Sequence, residues 1–254
     1  MYIYMYKNYK KNLEKNGYLL LKDFFNTEQV NQINKFKSEL EYLKEEKGKW
    51  MIYYEEKKNK TLKSRIENFV NYNENIKNFL NKYVIPLLNN ICETEMVLFK
   101  DKINWKYPNG DGFKAHQDHP AWNDFEISRF YSVAIFCSTC TIENGCLQIA
   151  KEQNNVILND GYIPKNIEEE LNWEYIETTP VDLLIFDSYL PHKSDKNISN
   201  NERSICYFTF NKLEEGDHYE KYVENKRKYF PPPNERTNNI AIENNKYNLG
   251  NPLI

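Results

Sequence analysis

Apolar residues follow two different rhythms along this chain. In the first third they recur every three or four positions. Val30, Ile33, Phe36, Leu40 and Leu43 make one such stripe, and Asn26 with Gln29 three residues later supplies a capping pair, so a helix is expected from 26 to about 44. Ile76, Phe79, Leu80, Tyr83, Val84, Leu87, Leu88 and Ile91 make a second stripe, expected to be helical over 74–91 with a kink at Pro86. Both stripes read as faces that pack on a sheet. Ahead of them, residues 17–25 read as a short strand. From residue 96 the rhythm shortens to the two-residue alternation of strands. Residues 96–107 form one candidate, ending at the turn signal Pro108-Asn109-Gly110-Asp111-Gly112. Others are 129–137, 145–150, 173–177, 183–187 and 203–211, with Pro180-Val181-Asp182 marking a turn. Helices followed by a run of short strands predict a mainly β fold with supporting helices, closed as a barrel or sandwich. On this reading 1–95 are mostly helical support, 96–212 the β core, and 213–254 a charged, Pro-rich tail that wraps the surface or caps an opening.

Composition adds exclusions. At 254 residues a single domain, 1–254, is expected. A hydrophobic fraction of 40% with 15% aromatics supports a packed core despite a mean hydropathy of -0.81. A net charge of -3 and a pI near 5.9 carry no electrostatic footprint for nucleic acid. The Lys-rich runs 7–15 and 57–63 read as solvated faces. No apolar run approaches the ~18 residues of a membrane span. Five cysteines without framework spacing, and no apolar N-terminal leader, point to a cytoplasmic protein with reduced thiols. Cys137-x-x-Cys140 reads as a pair of buried strand cysteines.

The chemistry gathers around His116-Gln117-Asp118 and a distant His192, two of only four histidines in the chain. Two imidazoles and one carboxylate with positions left open are the ligand set that suits non-haem Fe(II). Strand alternation places His116 and Asp118 on one face with Gln117 turned away, and His192 follows the candidate strand 183–186. Taken alone, His-x-Asp is also what a surface pair with an incidental loop histidine would look like. Arg203 tips the balance. It sits in an apolar strand with no acidic residue to pair with, so a bound dicarboxylate suits its planar fork, and Ser194 can add a hydroxyl.

Together with Asn144-Gly145-Cys146-Leu147-Gln148-Ile149 and Asp182-Leu183-Leu184-Ile185-Phe186-Asp187, these motifs resemble the phytanoyl-CoA dioxygenase family, and Gly17-Tyr18-Leu19 to Gln29-Val30 resembles its N-terminus. The resemblance implies a double-stranded β-helix of the jelly-roll, cupin-like kind. It also implies Fe(II) on His116, Asp118 and His192, and 2-oxoglutarate held by Arg203 and Ser194. The implied reaction uses O2, turns 2-oxoglutarate into succinate and CO2, and hydroxylates a small molecule. A carboxylate at Asp118, where halogenases of this fold carry a small residue, favours hydroxylation. Two departures stand out: Ala150-Lys151-Glu152-Gln153 replaces a usual Pro-Gly-Ser-His segment, and Val181 replaces a usual glycine.

Finer likeness concerns substrate. Lys100, Lys102, Asn104 and Lys106 share one face by the two-residue period. By analogy with the related ectoine hydroxylases, Asn104 contacts 2-oxoglutarate, Lys102 meets an anionic group on the substrate, and Trp122 stands at the mouth of the site. Lys100 and Lys106 read equally well as solvent-exposed. The segment 99–106 and the tail, with Glu215-Gly216-Asp217, Tyr222, Lys226-Arg227, Pro231-Pro232 and Arg236, resemble the family's phosphonate hydroxylases of the 2-aminoethylphosphonate dioxygenase type. An organophosphonate substrate is therefore expected. An amino acid or natural-product intermediate is the alternative, and a metal-bearing barrel without turnover is the non-enzymatic one.

Overall fold

Both expected helices form, and the capping pair can be seen at work. The computed structural model describes residues 2–57, 60–151, 158, 161–237 and 247, with 2 and 3 as backbone only. Helix α1 (Tyr2–Asn16), which the pattern did not announce, turns Leu13 inward and leaves Lys7, Lys11 and Lys15 exposed. Strand β1 (Tyr18–Leu21) follows, then helix α2 (Thr27–Glu41). Asn26 Oδ1 accepts from Gln29 N at 3.0 Å, and Gln29 Oε1 accepts from Asn26 N at 2.8 Å, which satisfies two otherwise orphaned donors. The second expected helix is divided into α3 (Glu74–Phe79) and α4 (Ile85–Cys92) by a π-helical turn over Leu80–Val84. Pro86 has no N–H to offer the preceding turn, and the chain accommodates it by widening instead of breaking. The apolar stripe therefore stays on one face, with Ile76, Leu80, Val84, Leu88 and Ile91 all buried.

The strands after β1 are β2 (Met51–Lys57), β3 (Lys60–Glu67), β4 (Met96–Lys106), β5 (Phe113–His116), β6 (Tyr131–Phe136), β7 (Leu147–Ala150), β8 (Trp173–Ile176), β9 (Leu183–Asp187), β10 (His192–Ser194) and β11 (Arg203–Lys212). They form two antiparallel sheets, a seven-stranded one ordered β1-β9-β6-β11-β4-β3-β2 and a four-stranded one ordered β5-β10-β7-β8. This is the expected double-stranded β-helix. Leu183, Ile185, Cys206, Phe208 and Phe210 point from the large sheet into the helices, while Leu184, Phe186, Ile205 and Tyr207 point between the sheets. Both faces are covered, which explains why these strands are apolar almost throughout.

The hairpin β2–β3 adds two strands within 1–95 that the pattern did not announce. Its apolar positions are interrupted by Glu55, Glu56 and a run of lysines, so the alternation is hard to see in the sequence. Yet Arg65, Ile66 and Glu67 pair with Asn104, Ile103 and Lys102 of β4, and the hairpin extends the main sheet. Cys137 and Cys140 are buried as expected, with free thiols. In the tail, α6 (Tyr219–Tyr229, preceded by the short α5, Lys165–Glu170) packs against β4. Residues 238–246 and 248–254 of the tail, and the departing residues Glu152 and Gln153, lie outside the described residues.

Two substitutions separate local from packing contributions. Asn26→Ala should cost about 1 kcal/mol, the usual value of an N-cap. Phe36→Ala, which empties a site only 1% exposed, should cost about 3–5 kcal/mol in chemical denaturation. Equal losses in the two variants would contradict this division.

Candidate active site

The two sheets converge on a cavity to which all eight residues singled out from the sequence contribute: His116, Asp118, His192, Ser194, Arg203, Asn104, Lys102 and Trp122. His116 and His192 are direct partners across β5 and β10, with ring centroids 4.2 Å apart. Asp118 reaches them by a different route from the one expected. β5 ends at His116, and Asp118 is a helical-backbone residue (φ -76, ψ -36) at the start of the 3₁₀ turns His119–Phe125. The turn, and not strand alternation, brings its carboxylate round. Gln117 is indeed directed elsewhere, its side chain donating to Tyr189 O and accepting from Leu158 N.

Asp118 Oδ1 lies 3.7 Å from His116 Nε2 and Oδ2 lies 3.9 Å from His192 Nε2, and one donor atom from each of the three residues lies within 4.8 Å of the others. Each imidazole is oriented by a backbone carbonyl at its other nitrogen: His116 Nδ1 meets Lys114 O at 2.6 Å, and His192 Nδ1 meets Leu190 O at 3.0 Å. That arrangement places the proton on Nδ1 and turns the Nε2 lone pair toward the centre, as a metal requires. Burial, then the charge of its neighbour His192, pushes His116 down to about 3, and burial likewise lowers His192. Burial works against ionising Asp118, but Lys102 and the neighbouring imidazoles outweigh it and hold the carboxyl below its ordinary range. Two neutral imidazoles and one carboxylate are thus ready to ligate a divalent ion.

At one end of the cavity Arg203 is buried, and its Nη1 donates to Gly145 O at 2.8 Å. Its Nε is buried without a hydrogen-bond partner among the described residues. A buried guanidinium with an unused donor fits a carboxylate that the protein itself does not provide.

Further along β4 the cations accumulate. Lys100 and Lys102 both line the cavity, and neither ammonium makes a hydrogen bond or ion pair among the described residues. Lys100 lies 5.3 Å from the rings of Trp122 and Tyr222, and Lys102 lies 5.0 Å from the ring of Tyr207. Burial, and then the charge of Lys100, pushes Lys102 down to about 7, and burial lowers Lys100 as well. Trp122 is an interior wall and not a rim residue, being 2% exposed and packed on Phe99 and Phe130. Solvent exposure does not hold for Lys100 or Lys106 either, since both are buried.

Three contributors escaped the sequence. Arg65 from β3 lines the cavity and donates from Nε to Asn104 Oδ1 at 2.8 Å. Glu67, fully buried, lies 3.4 Å from Arg65 Nη1 and 3.2 Å from Lys226 Nζ, and accepts from Tyr222 Oη at 3.0 Å. Lys226 of α6 is fully buried between the rings of Tyr53, Phe230 and Tyr247. These groups sit far apart in sequence, and a charged residue in an undetected hairpin reads as surface. The one available signal was the tail segment holding Tyr222 and Lys226.

Comparison with known proteins supplies context. The family model described as Phytanoyl-CoA dioxygenase (PhyH) matches residues 13–205. A 2-aminoethylphosphonate dioxygenase from Uncultured bacterium HF130_AEPn_1 is 36% identical over 98% of this chain and 99% of its own. A methylphosphonate hydroxylase from Gimesia maris is 32% identical over 84% of each. EctD from S. alaskensis, solved with 2-oxoglutarate and 5-hydroxyectoine, superposes with a TM-score of 0.72 at 16% identity, covering 81% of this chain and 76% of that one. EctD with bound Fe gives 0.69 at 15% identity over the same shares. At these identities the solved structures speak for the fold alone.

Glu67 generates a prediction of its own. Burial would raise its carboxyl, but the charges of Lys100, Lys226 and Arg65 hold it well below the ordinary range. A carboxyl with a depressed folded-state value stabilises fully above its unfolded value of about 4.3, and loses that contribution as pH falls toward the folded one. Glu67→Gln should therefore cost about 3–5 kcal/mol at pH 7, with the gap to the parent narrowing as unfolding is measured at progressively lower pH below 4. A gap constant with pH would show that the charge is not what stabilises.

Proposed function

The chain belongs to the phytanoyl-CoA dioxygenase family, and on that footing we propose that it is an Fe(II)- and 2-oxoglutarate-dependent dioxygenase that hydroxylates a small organophosphonate. The observation that carries the substrate is the pair of unpartnered ammonium groups, Lys100 and Lys102, beside Arg65 and facing the His-Asp-His cluster. A phosphonate dianion neutralises closely set cations that repel one another when the cavity holds no anion. The names of the two curated relatives support the same class.

His116, Asp118 and His192 would hold the iron. Arg203 and Ser194 would hold the far carboxylate of 2-oxoglutarate, with Asn104 kept in place for a further contact by Arg65. Bound together, the metal and 2-oxoglutarate supply the oxidising chemistry: O2 is consumed, 2-oxoglutarate becomes succinate and CO2, and one oxygen enters a substrate C–H bond. The remaining work belongs to the protein. Lys106, opposite Arg203, and Lys102 are four residues apart on β4, or about 13 Å along the strand, so the two anions occupy separate stations. Lys102, Lys100 and Arg65 would fix the phosphonate, and Trp122 would wall its organic portion. Phe186, Leu147 and Tyr207 line the cavity and limit water there. Because Asp118 occupies a ligand position, the reading is hydroxylation and not halogenation.

A single oxygenase domain over 1–254 is part of this reading, and the pairing of β1, β2 and β3 of the first 95 residues in the same sheet as the later strands supports it. Its partners are a small molecule and O2. No described helix is long and apolar enough to cross a membrane, and the five free thiols suit the cytoplasm.

Purified protein with Fe(II) and ascorbate should release succinate from 2-oxoglutarate when methylphosphonate or 2-aminoethylphosphonate is added, and less with amino acids. No succinate above background with any substrate would favour a ligand-binding barrel without turnover. Asp118→Ala should abolish turnover, and full retention of activity would remove the metal assignment. Lys102→Ala should raise KM for the phosphonate at least about tenfold, the loss of one charge-assisted bond, while changing that for 2-oxoglutarate less. Equal changes would refute its substrate role.

A further inference from the structure

Lys106 has no ligand to hold, yet it is among the largest fully enclosed side chains of the described residues. It stands directly opposite Arg203 in the β4–β11 register, so two cations face each other across strands in the interior. Like charges so placed destabilise a sheet unless something else requires them. Burial, and then the charge of Arg203, lowers its ammonium well below the ordinary lysine value.

The hydrogen bonds say what Lys106 does. Its ammonium has three donors and meets three acceptors: Ser194 Oγ at 2.8 Å, Gly145 O at 3.2 Å, and Asp195 O. With its donors engaged, and with no surface on the cavity, it is not placed to touch a ligand. Its effect falls on two groups that are. Gly145 O is the same carbonyl that anchors Arg203 Nη1 at 2.8 Å. The fit around it is close, because a Cβ on Gly145 (φ +73) would come within 2.3 Å of Asp195 O and 2.8 Å of Lys106 Nζ. Ser194 Oγ accepts from Lys106 and, at 3.4 Å, from Phe113 N. A hydroxyl has two acceptor positions and one donor. Both acceptor positions of Ser194 are met by protein donors, so its single hydrogen is left to be given away.

We propose that Lys106 is a positioning residue for the co-substrate: it sets the Ser194 hydroxyl as an obligate donor and, through the shared Gly145 carbonyl, fixes Arg203 beside it, preparing a site for a carboxylate. Lys106 thereby governs affinity for 2-oxoglutarate without contacting it. The inference rests on the assignment of Arg203 and Ser194 to 2-oxoglutarate, and the experiment separates the two.

Binding is measured by calorimetric titration of 2-oxoglutarate under argon into Fe(II)-loaded protein, so that no turnover intervenes. Lys106→Met should weaken binding about tenfold, and Ser194→Ala by a similar factor, the scale of one hydrogen bond to a charged group. The double variant should be no weaker than the poorer single one, because both remove the same donor arrangement. KM for the phosphonate should stay within about twofold of the parent in Lys106→Met, a split that a general loosening of the fold would not produce. Independent, multiplying effects of the two substitutions would overturn the proposal. Unchanged binding in Ser194→Ala would overturn it too, even if Lys106→Met failed to fold. Arg203→Gln tests the underlying assignment: retained binding there would remove that assignment, whereas loss in Arg203→Gln and in Ser194→Ala with no change in Lys106→Met would remove only the role of Lys106.

Discussion

Burying like charges together is costly, and the cavity of this protein does it repeatedly. A single ion taken from water into a protein interior loses several kcal/mol of hydration unless partners replace it. Here Arg65, Lys100, Arg203 and Lys226 are buried and Lys102 is largely enclosed, while Glu67 and Asp118 are the carboxylates set among them. The imbalance is what gives the site its character. A cavity that is short of negative charge is one that binds anions, and the fold keeps it from collapsing by holding each cation from behind.

The supports differ by position. Glu67 serves Arg65 and Lys226 together, with Tyr222 completing its shell. Aromatic faces serve Lys100, Lys102 and Lys226, placing negative ring density near their ammonium groups. Backbone carbonyls serve Lys106 and Arg203. The helices contribute indirectly: by covering the outer face of the seven-stranded sheet they allow alternate residues of β4 and β11 to be committed to the interior. The three metal-ligand candidates are borne by the four-stranded sheet and the turn after β5.

Much of this was legible in the sequence, for reasons that can be named. Asn26 and Gln29 carry a local signal, and their capping box needs only three residues of chain to form. His116, Asp118, His192 and Arg203 stand out because histidine is rare here and arginine is out of place in an apolar strand. The route of Asp118 was less visible, since a turn and a strand can both bring residues two apart together. Arg65 and Glu67 could not be read at all. Their hairpin carries charge where a solvated loop would, and what buries them is α6, some 150 residues later. Lys106 shows the same limit in the other direction: its parity with Lys102 was correct, but only the register with Arg203 reveals that it is enclosed.

The central claim is that one cationic cavity holds two different anions at two stations flanking a His-Asp-His metal site. A crystal grown under argon with Fe(II), 2-oxoglutarate and methylphosphonate tests it most directly. The account predicts anomalous iron density on His116, Asp118 and His192, a carboxylate on Arg203 and Ser194, and the phosphonate against Lys100, Lys102 and Arg65. A phosphonate bound at Arg203, or iron away from those three residues, would contradict it.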